Sequence, residues 1–227
     1  MPGRGNDRDT ISEMTTGRLS VYLRCLTYLE SIQQKTVSSH ELAERFHLNS
    51  AQIRKDLACF GEFGTRGVGY DVARLKQNLI HTLGIDRTRK VVIVGAGNLG
   101  MALADYRGFN SNGFHIVAML DIDPMKIGRS SRSGIPVVPF DALRDLVARD
   151  GVEIGIIAVT AESAQSVYDH LVDAGIRAVL NFAPVQIRLR SGVKLKSVDL
   201  RINLESLSFY LKNVENGGDA SGLTGSD

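Results

Sequence analysis

Lys90-Val-Val-Ile-Val-Gly-Ala-Gly-Asn-Leu-Gly100 is the stretch that decides the fold. An apolar, β-branched run stops at a GxGxxG motif, and Leu99–Tyr106 continues with helical spacing. A strand that ends in glycines and restarts as a helix is the first turn of a dinucleotide-binding sheet. Gly95 makes the turn, Gly97 lets a pyrophosphate approach the backbone, and Gly100 lets helix close on strand. With Ala96, Asn98 and Leu99 they form the expected phosphate loop, its anion resting on the positive end of the helix. Leu120-Asp121 closes the next strand 21 residues beyond Gly100. An acid there bonds an adenosine ribose 2′-OH and repels a 2′-phosphate, which favours NAD(H) over NADP(H). Lys126 and Arg129 stand close enough to weaken that preference.

Working outward toward the C-terminus, further β-like runs lie at Ile116–Leu120, Ile154–Val159 and Ala178–Phe182. Helical stretches at Asp141–Arg149 and Ser163–Ala174 separate them. Alternating strands and helices predict an α/β fold, a Rossmann-like parallel sheet covered on both faces. The Gly/Ser/Asp-rich 214–227 has almost nothing to bury.

Toward the N-terminus the spacing is helical from about Thr16 to Thr82, and the boundary between the two textures falls at 83–88. Leu19, Leu23, Leu26 and Leu29 mark one face of a first helix. Ser38-Ser-His-Glu41 reads as a capping box opening a second, with Leu42, Ala43 and Phe46 inward. His47-Leu-Asn-Ser50 is a tight turn, with Asn49 or Ser50 capping a third helix through Phe60. Two short helices joined this way suggest a helix-turn-helix. Ile53, Leu57 and Phe60 face inward at i, i+4 and i+7, leaving Ala51, Lys55 and Ala58 outward and Gln52, Arg54 and Cys59 flanking. Small residues beside a cation suit a helix lying in the major groove of double-stranded DNA. Arg54 and Lys55 are candidates for guanine edges or phosphates, and Gln52 for an adenine. Gly61-Glu-Phe-Gly-Thr-Arg-Gly-Val-Gly-Tyr70 then reads as a hairpin wing. Arg66 and Gly67 form its tip, aimed at a minor groove, and Tyr70 is placed for a phosphate.

Composition sets bounds on this reading. The 227 residues suffice for two modest domains, and 43% hydrophobic and 23% charged residues are ordinary for a globular protein. No apolar run approaches the ~20 residues a membrane helix needs, and Met1–Asp9 holds no secretory h-region. A cytoplasmic protein without a membrane partner is expected. Residues 1–90 carry 14 Lys/Arg against 10 Asp/Glu, and the remainder 13 against 15, which permits nucleic-acid binding at the N-terminal end. Cys25 and Cys59 form no metal-ligand spacing and read as free thiols, so no metal is expected.

Three motifs together resemble the Rex family of redox-sensing repressors. They are Arg54-Lys-Asp-Leu57 through Gly64-Thr-Arg-Gly-Val-Gly-Tyr70; Gly95–Gly100 with Ala104-Asp-Tyr106 and Leu120-Asp-Ile-Asp-Pro124; and Asn181-Phe-Ala-Pro184 with Leu204-Glu-Ser-Leu-Ser-Phe209. The resemblance spans about 16–213. It implies a homodimer that binds a palindromic operator, is released by NADH and also binds NAD⁺. It further implies a C-terminal helix exchanged between subunits, a nicotinamide pocket lined by Ala158-Val-Thr160, and a switch network of Arg24, Tyr106 and Asp199. The resulting organisation is a tail at 1–15, a winged-helix DNA-binding domain at 16–84, a Rossmann NAD(H)-binding domain at 85–201, an exchanged helix at 202–213, and a tail at 214–227. Two departures stand out: Ala58-Cys59 where relatives commonly carry Ser-Tyr, and Leu200 where a Phe often follows the switch Asp.

Three other readings compete. An NAD-dependent dehydrogenase lacks room, because residues 88–200 hold a nucleotide fold but no substrate domain, and His81, His115 and His170 are scattered. A CoA-binding module uses the same sheet, and Asp121 argues against its phosphorylated ribose only weakly. An adaptor would use the helix-turn-helix for protein contacts.

Overall fold

The computed structural model describes residues 13–61, 63–65, 67–110 and 113–215. The chain divides into two compact units, Met1–Thr88 and Arg89–Asp227.

In the first unit α1 spans Glu13–Ser31, and the residues 13–15 assigned to a tail are therefore helical. Arg18 donates to the Thr15 hydroxyl one turn back (3.2 Å), which helps extend the helix. Then come β1 (Thr36–Val37), α2 (Ser39–Phe46), α3 (Ser50–Ala58), β2 (Gly64–Thr65), β3 (Gly69–Asp71) and α4 (Val72–Thr82). The capping box forms as expected. Ser38 Oγ accepts the Glu41 N–H at 3.0 Å, and the Glu41 carboxylate accepts the Ser38 N–H at 2.7 Å. Asn49 caps α3 by accepting the N–H groups of Ala51 and Gln52 at 2.9 and 3.0 Å. Between them His47 ends α2 in the left-handed region at φ 54°. The third helix stops at Ala58 rather than Phe60. Cys59 and Phe60 donate to carbonyls three residues back, tightening the last turn before Gly61 at φ 135°. Leu19, Tyr22, Leu26 and Leu29 pack with Leu42, Ile53, Leu57, Leu75 and Leu79 in one core. Each fully buried leucine contributes about 2 kcal/mol. The three short strands form an antiparallel sheet in the order β1-β3-β2, the wing of a winged helix.

The second unit holds β4 (Arg89–Val94), α5 (Asn98–Ala104), α6 (Arg107–Asn110), β5 (Phe114–Asp121), β6 (Val137–Pro139), α7 (Leu143–Asp150), β7 (Ile154–Ile157), α8 (Ala161–Asp173), β8 (Ala178–Asn181), β9 (Lys194–Ser197) and α9 (Leu200–Glu215). All six strands are parallel, in the order β6-β5-β4-β7-β8-β9. Strand order reverses between β4 and β7, the place where such sheets open a crevice at their carboxyl ends. Alternation along β4 supplies both faces. Val92 and Val94 pack with Leu120, Ile157 and Leu171, while Val91 and Ile93 pack with Ile116, Met119 and Ile156.

Strands β6 and β9 are not evident from the sequence. One is three residues ending in proline, and the other alternates lysine with leucine and serine at a sheet edge. The last helix runs longer than expected, through Val214 and Glu215, because Val214 continues the spacing of Leu207 and Leu211. Residues 1–12 and 216–227, the rest of the two expected tails, lie outside the described residues.

Candidate functional site

The C-terminal unit builds its crevice from the glycine turn. Gly95 adopts φ 102°, and a Cβ there would run into the Ala158 carbonyl on the neighbouring strand end. A Cβ on Gly100 would overlap the Gly95 carbonyl oxygen, so helix and strand meet as the motif requires. Gly97, at the N-terminus of α5, has open space around it, and Asn98 and Leu99 are exposed. Ala96 is buried, and its N–H donates to Asp121 Oδ2 at 2.7 Å.

Asp121 ends β5 only 9% exposed. Its Oδ1 accepts the Asp123 N–H at 2.9 Å, and Oδ2 also meets the Lys126 ammonium at 3.1 Å. Burial pushes this carboxyl up, but the Asp123 and Ala96 N–H groups and Lys126 outweigh it and hold the group below the usual carboxylate range. Four acceptor positions less three donors leave Asp121 one, on Oδ1, for an incoming hydroxyl. Gly95, Asp121 and Val159 line a cavity of about 350 Å³ together with Phe140, Glu162, Ser163 and Ser166. Ala158 and Thr160 stand on either side of Val159. The Thr160 side chain bonds Glu162, the carboxylate that the Glu162 N–H and this hydroxyl hold low.

Of the switch residues in this unit, Tyr106 is 58% exposed and stacks edge-on against Phe109 at 5.0 Å. Asp199 is half-buried and accepts the Arg201 N–H at 2.9 Å, opening α9. No hydrogen bond joins Tyr106 to Asp199 among the described residues. Among the described residues, nothing buries the apolar side chains of α9. Leu200, Ile202, Leu204, Leu207, Phe209, Tyr210, Leu211 and Val214 are all exposed.

In the N-terminal unit α3 presents Ala51, Arg54, Lys55, Ala58 and Cys59 to solvent, and Ile53 and Leu57 to the core. Arg54 donates to Ser39 Oγ at 3.1 Å. Burial pushes the Tyr70 phenol up, and the Arg54 charge opposes that rise. Gly67 sits exposed at φ 82° in the turn between β2 and β3, which Val68 closes by donating to the Thr65 carbonyl at 3.0 Å. The tip residue Arg66 lies outside the described residues. Arg24 is exposed on α1. Gln52, on the flank of α3, lays its amide along the helix and donates to Asp56 at 2.7 Å.

Sequence pattern alone does not single out that aspartate. Asp56 is 2% exposed and accepts Arg18 Nε at 2.6 Å, Arg18 Nη2 at 2.9 Å and the Tyr22 hydroxyl at 2.9 Å. Burial raises its carboxyl; the Arg18, Gln52 and Tyr22 hydrogen bonds together hold it below the usual range. The available signal was position. Asp56 adjoins Leu57 and lies three residues from Ile53 on the inward face, where a carboxylate must be paired.

Residues 10–58 match a family model described as putative DNA-binding protein N-terminus, and residues 86–185 match one described as CoA binding domain. Over 89% of the chain and 97% of the relative, the sequence is 49% identical to the redox-sensing transcriptional repressor Rex of Carboxydothermus hydrogenoformans. The chain belongs to the Rex family.

Rex proteins are redox-sensing transcriptional repressors, so the Rossmann sheet here serves a repressor and not an enzyme. The structural likeness covers both units. A crystal structure of RSP with β-NAD⁺ and operator DNA superposes with a TM-score of 0.86 at 37% identity, covering 95% of this chain and 99% of that one. RSP with β-NADH gives 0.80 at 36% identity, covering 91% and 96%. Among the described residues no helix is long and apolar enough to cross a membrane, and no His/Cys/Asp/Glu group could hold a metal. Both cysteines are free, Cys25 buried and Cys59 exposed.

Proposed function

We propose that this Rex chain represses transcription as an NADH-released homodimer in the bacterial cytoplasm. The crevice at the β4/β7 reversal takes the dinucleotide. The glycine loop 95–100 receives the pyrophosphate, Asp121 takes one ribose hydroxyl on its remaining acceptor position, and Ala158, Val159 and Thr160 flank the nicotinamide. The winged helix 16–84 reads the operator, with Lys55 and Arg54 from α3, and Gly67, Tyr70 and, from sequence alone, Arg66 from the wing. Helix α9 lies on the partner subunit, and Arg24, Tyr106 and Asp199 connect cofactor state to reading-head position. NAD⁺ occupies the same cleft without releasing DNA.

The observation that carries this reading is the glycine turn closed by Asp121 in the same chain as an outward-facing basic α3. Its support is that RSP was crystallised with β-NADH and with β-NAD⁺ and operator DNA. The test is operator binding at fixed total NAD(H) and several NADH fractions. Operator affinity is expected to fall as the NADH fraction rises; a flat response overturns the proposal. A second reading, CoA binding, draws on the 86–185 match. CoA displacing NADH in the same titration would favour it.

A further inference from the structure

A carboxylate can accept about four hydrogen bonds, two per oxygen. Asp56 has all four: Arg18 Nη2 and Gln52 Nε2 on Oδ1, Arg18 Nε and the Tyr22 hydroxyl on Oδ2. The arginine pair is bidentate, the geometry that fixes orientation as well as distance. Two of these residues come from α1 and two from α3, with 38 residues between Arg18 and Asp56. Buried ion pairs are weak sources of net stability, and their best-attested role is to fix register. Apolar packing of Leu19, Leu26, Ile53 and Leu57 alone would tolerate small rotations of α3. The saturated carboxylate does not, because a rotation of α3 leaves one of its buried acceptor positions unpaired.

We propose that Asp56 is a positioning residue for operator recognition: its clasp with Arg18, Tyr22 and Gln52 sets the rotation of α3 against α1, and Gln52 serves the clasp rather than reading a base. This rests on α3 being the DNA-reading helix. Withdrawing Gln52 toward an adenine would empty one acceptor position of a carboxylate that is 2% exposed. Sequence readout from this helix then falls to Arg54, Lys55 and the small faces of Ala51 and Ala58.

The test compares binding of wild type, Asp56→Asn, Gln52→Ala and the double variant to operator and to a random duplex across salt concentrations. Asp56→Asn should lower operator affinity about tenfold or more, equivalent to one unit of log K. Random-duplex affinity should change less than about threefold, and the salt slope should stay at its wild-type value because no phosphate contact is lost. The double variant should bind operator no worse than Asp56→Asn, since both changes break one unit. Wild-type operator affinity in Asp56→Asn overturns the proposal. So does a parallel loss on both duplexes with a slope smaller by about one, the mark of a lost phosphate contact. Additive losses from Gln52→Ala and Asp56→Asn would make Gln52 a base reader and equally overturn it. If Asp56→Asn does not fold, Tyr22→Phe removes one donor and carries the same comparison at about threefold, half a log unit. If the wild-type chain itself does not prefer operator to random duplex, the reading of α3 fails, and with it the ground for the clasp's role.

Discussion

At the scale of single residues, chemistry was legible where a motif binds it to backbone geometry. Gly95 and Gly100 are glycines because a Cβ would strike Ala158 or Gly95. Ser38 and Glu41 form the reciprocal pair their spacing announces. Residues that find partners far along the chain were not legible, and Arg18 with Asp56 is the case in point. The sign of a dihedral was hidden too. The turn at His47 was apparent, but not that His47 itself holds φ 54° at the end of α2. A left-handed non-glycine residue costs about 1–2 kcal/mol, and glycine's extra unfolded freedom returns roughly 0.5–1 of that. His47→Gly is therefore expected to stabilise the N-terminal unit by about 0.5–1 kcal/mol. A rise in its thermal midpoint checks this; a fall would mean the imidazole makes a contact of greater worth.

At the scale of elements, long periodic segments were the readable ones. Val91–Val94 and the stretch before Asp121 became central strands because both faces of the sheet are covered. Edge elements defeated periodicity. The strand Lys194–Ser197 carries too little apolar sequence, and Val137–Pro139 is too short for alternation to register. Helix α9 is the opposite case, apolar enough to demand burial yet exposed along its length. On the proposed reading its cover is a second copy. Replacing Leu207 and Leu211 with Asp should then shift the protein from dimer to monomer in sedimentation at micromolar concentration, with cofactor binding retained. Persistence of the dimer would place the interface elsewhere.

At the scale of the whole molecule, the two textures read on either side of 83–88 correspond to two compact units meeting at Thr88 and Arg89. What linear sequence does not encode visibly is how one unit informs the other. Arg24, exposed on the same helix that carries Arg18 and Tyr22, is the proposed connection. Allosteric couplings are typically worth about 1–3 kcal/mol, or 5–150-fold. Arg24→Ala should blunt NADH-driven operator release by about fivefold or more while NADH affinity stays within about twofold. Fluorescence titration with NADH and operator gel shifts at matched cofactor levels check both halves. Release equal to wild type would remove Arg24 from the coupling.

The bare α9 also bears on how much of this protein a cell needs. A newly finished copy would carry eight greasy side chains into a crowded solution until it met its twin. Scarcity would then prolong that solitary, protease-vulnerable stage, and abundance would shorten it. Copy number would thus set not only how many operators are occupied but what fraction of the chains survives to occupy them.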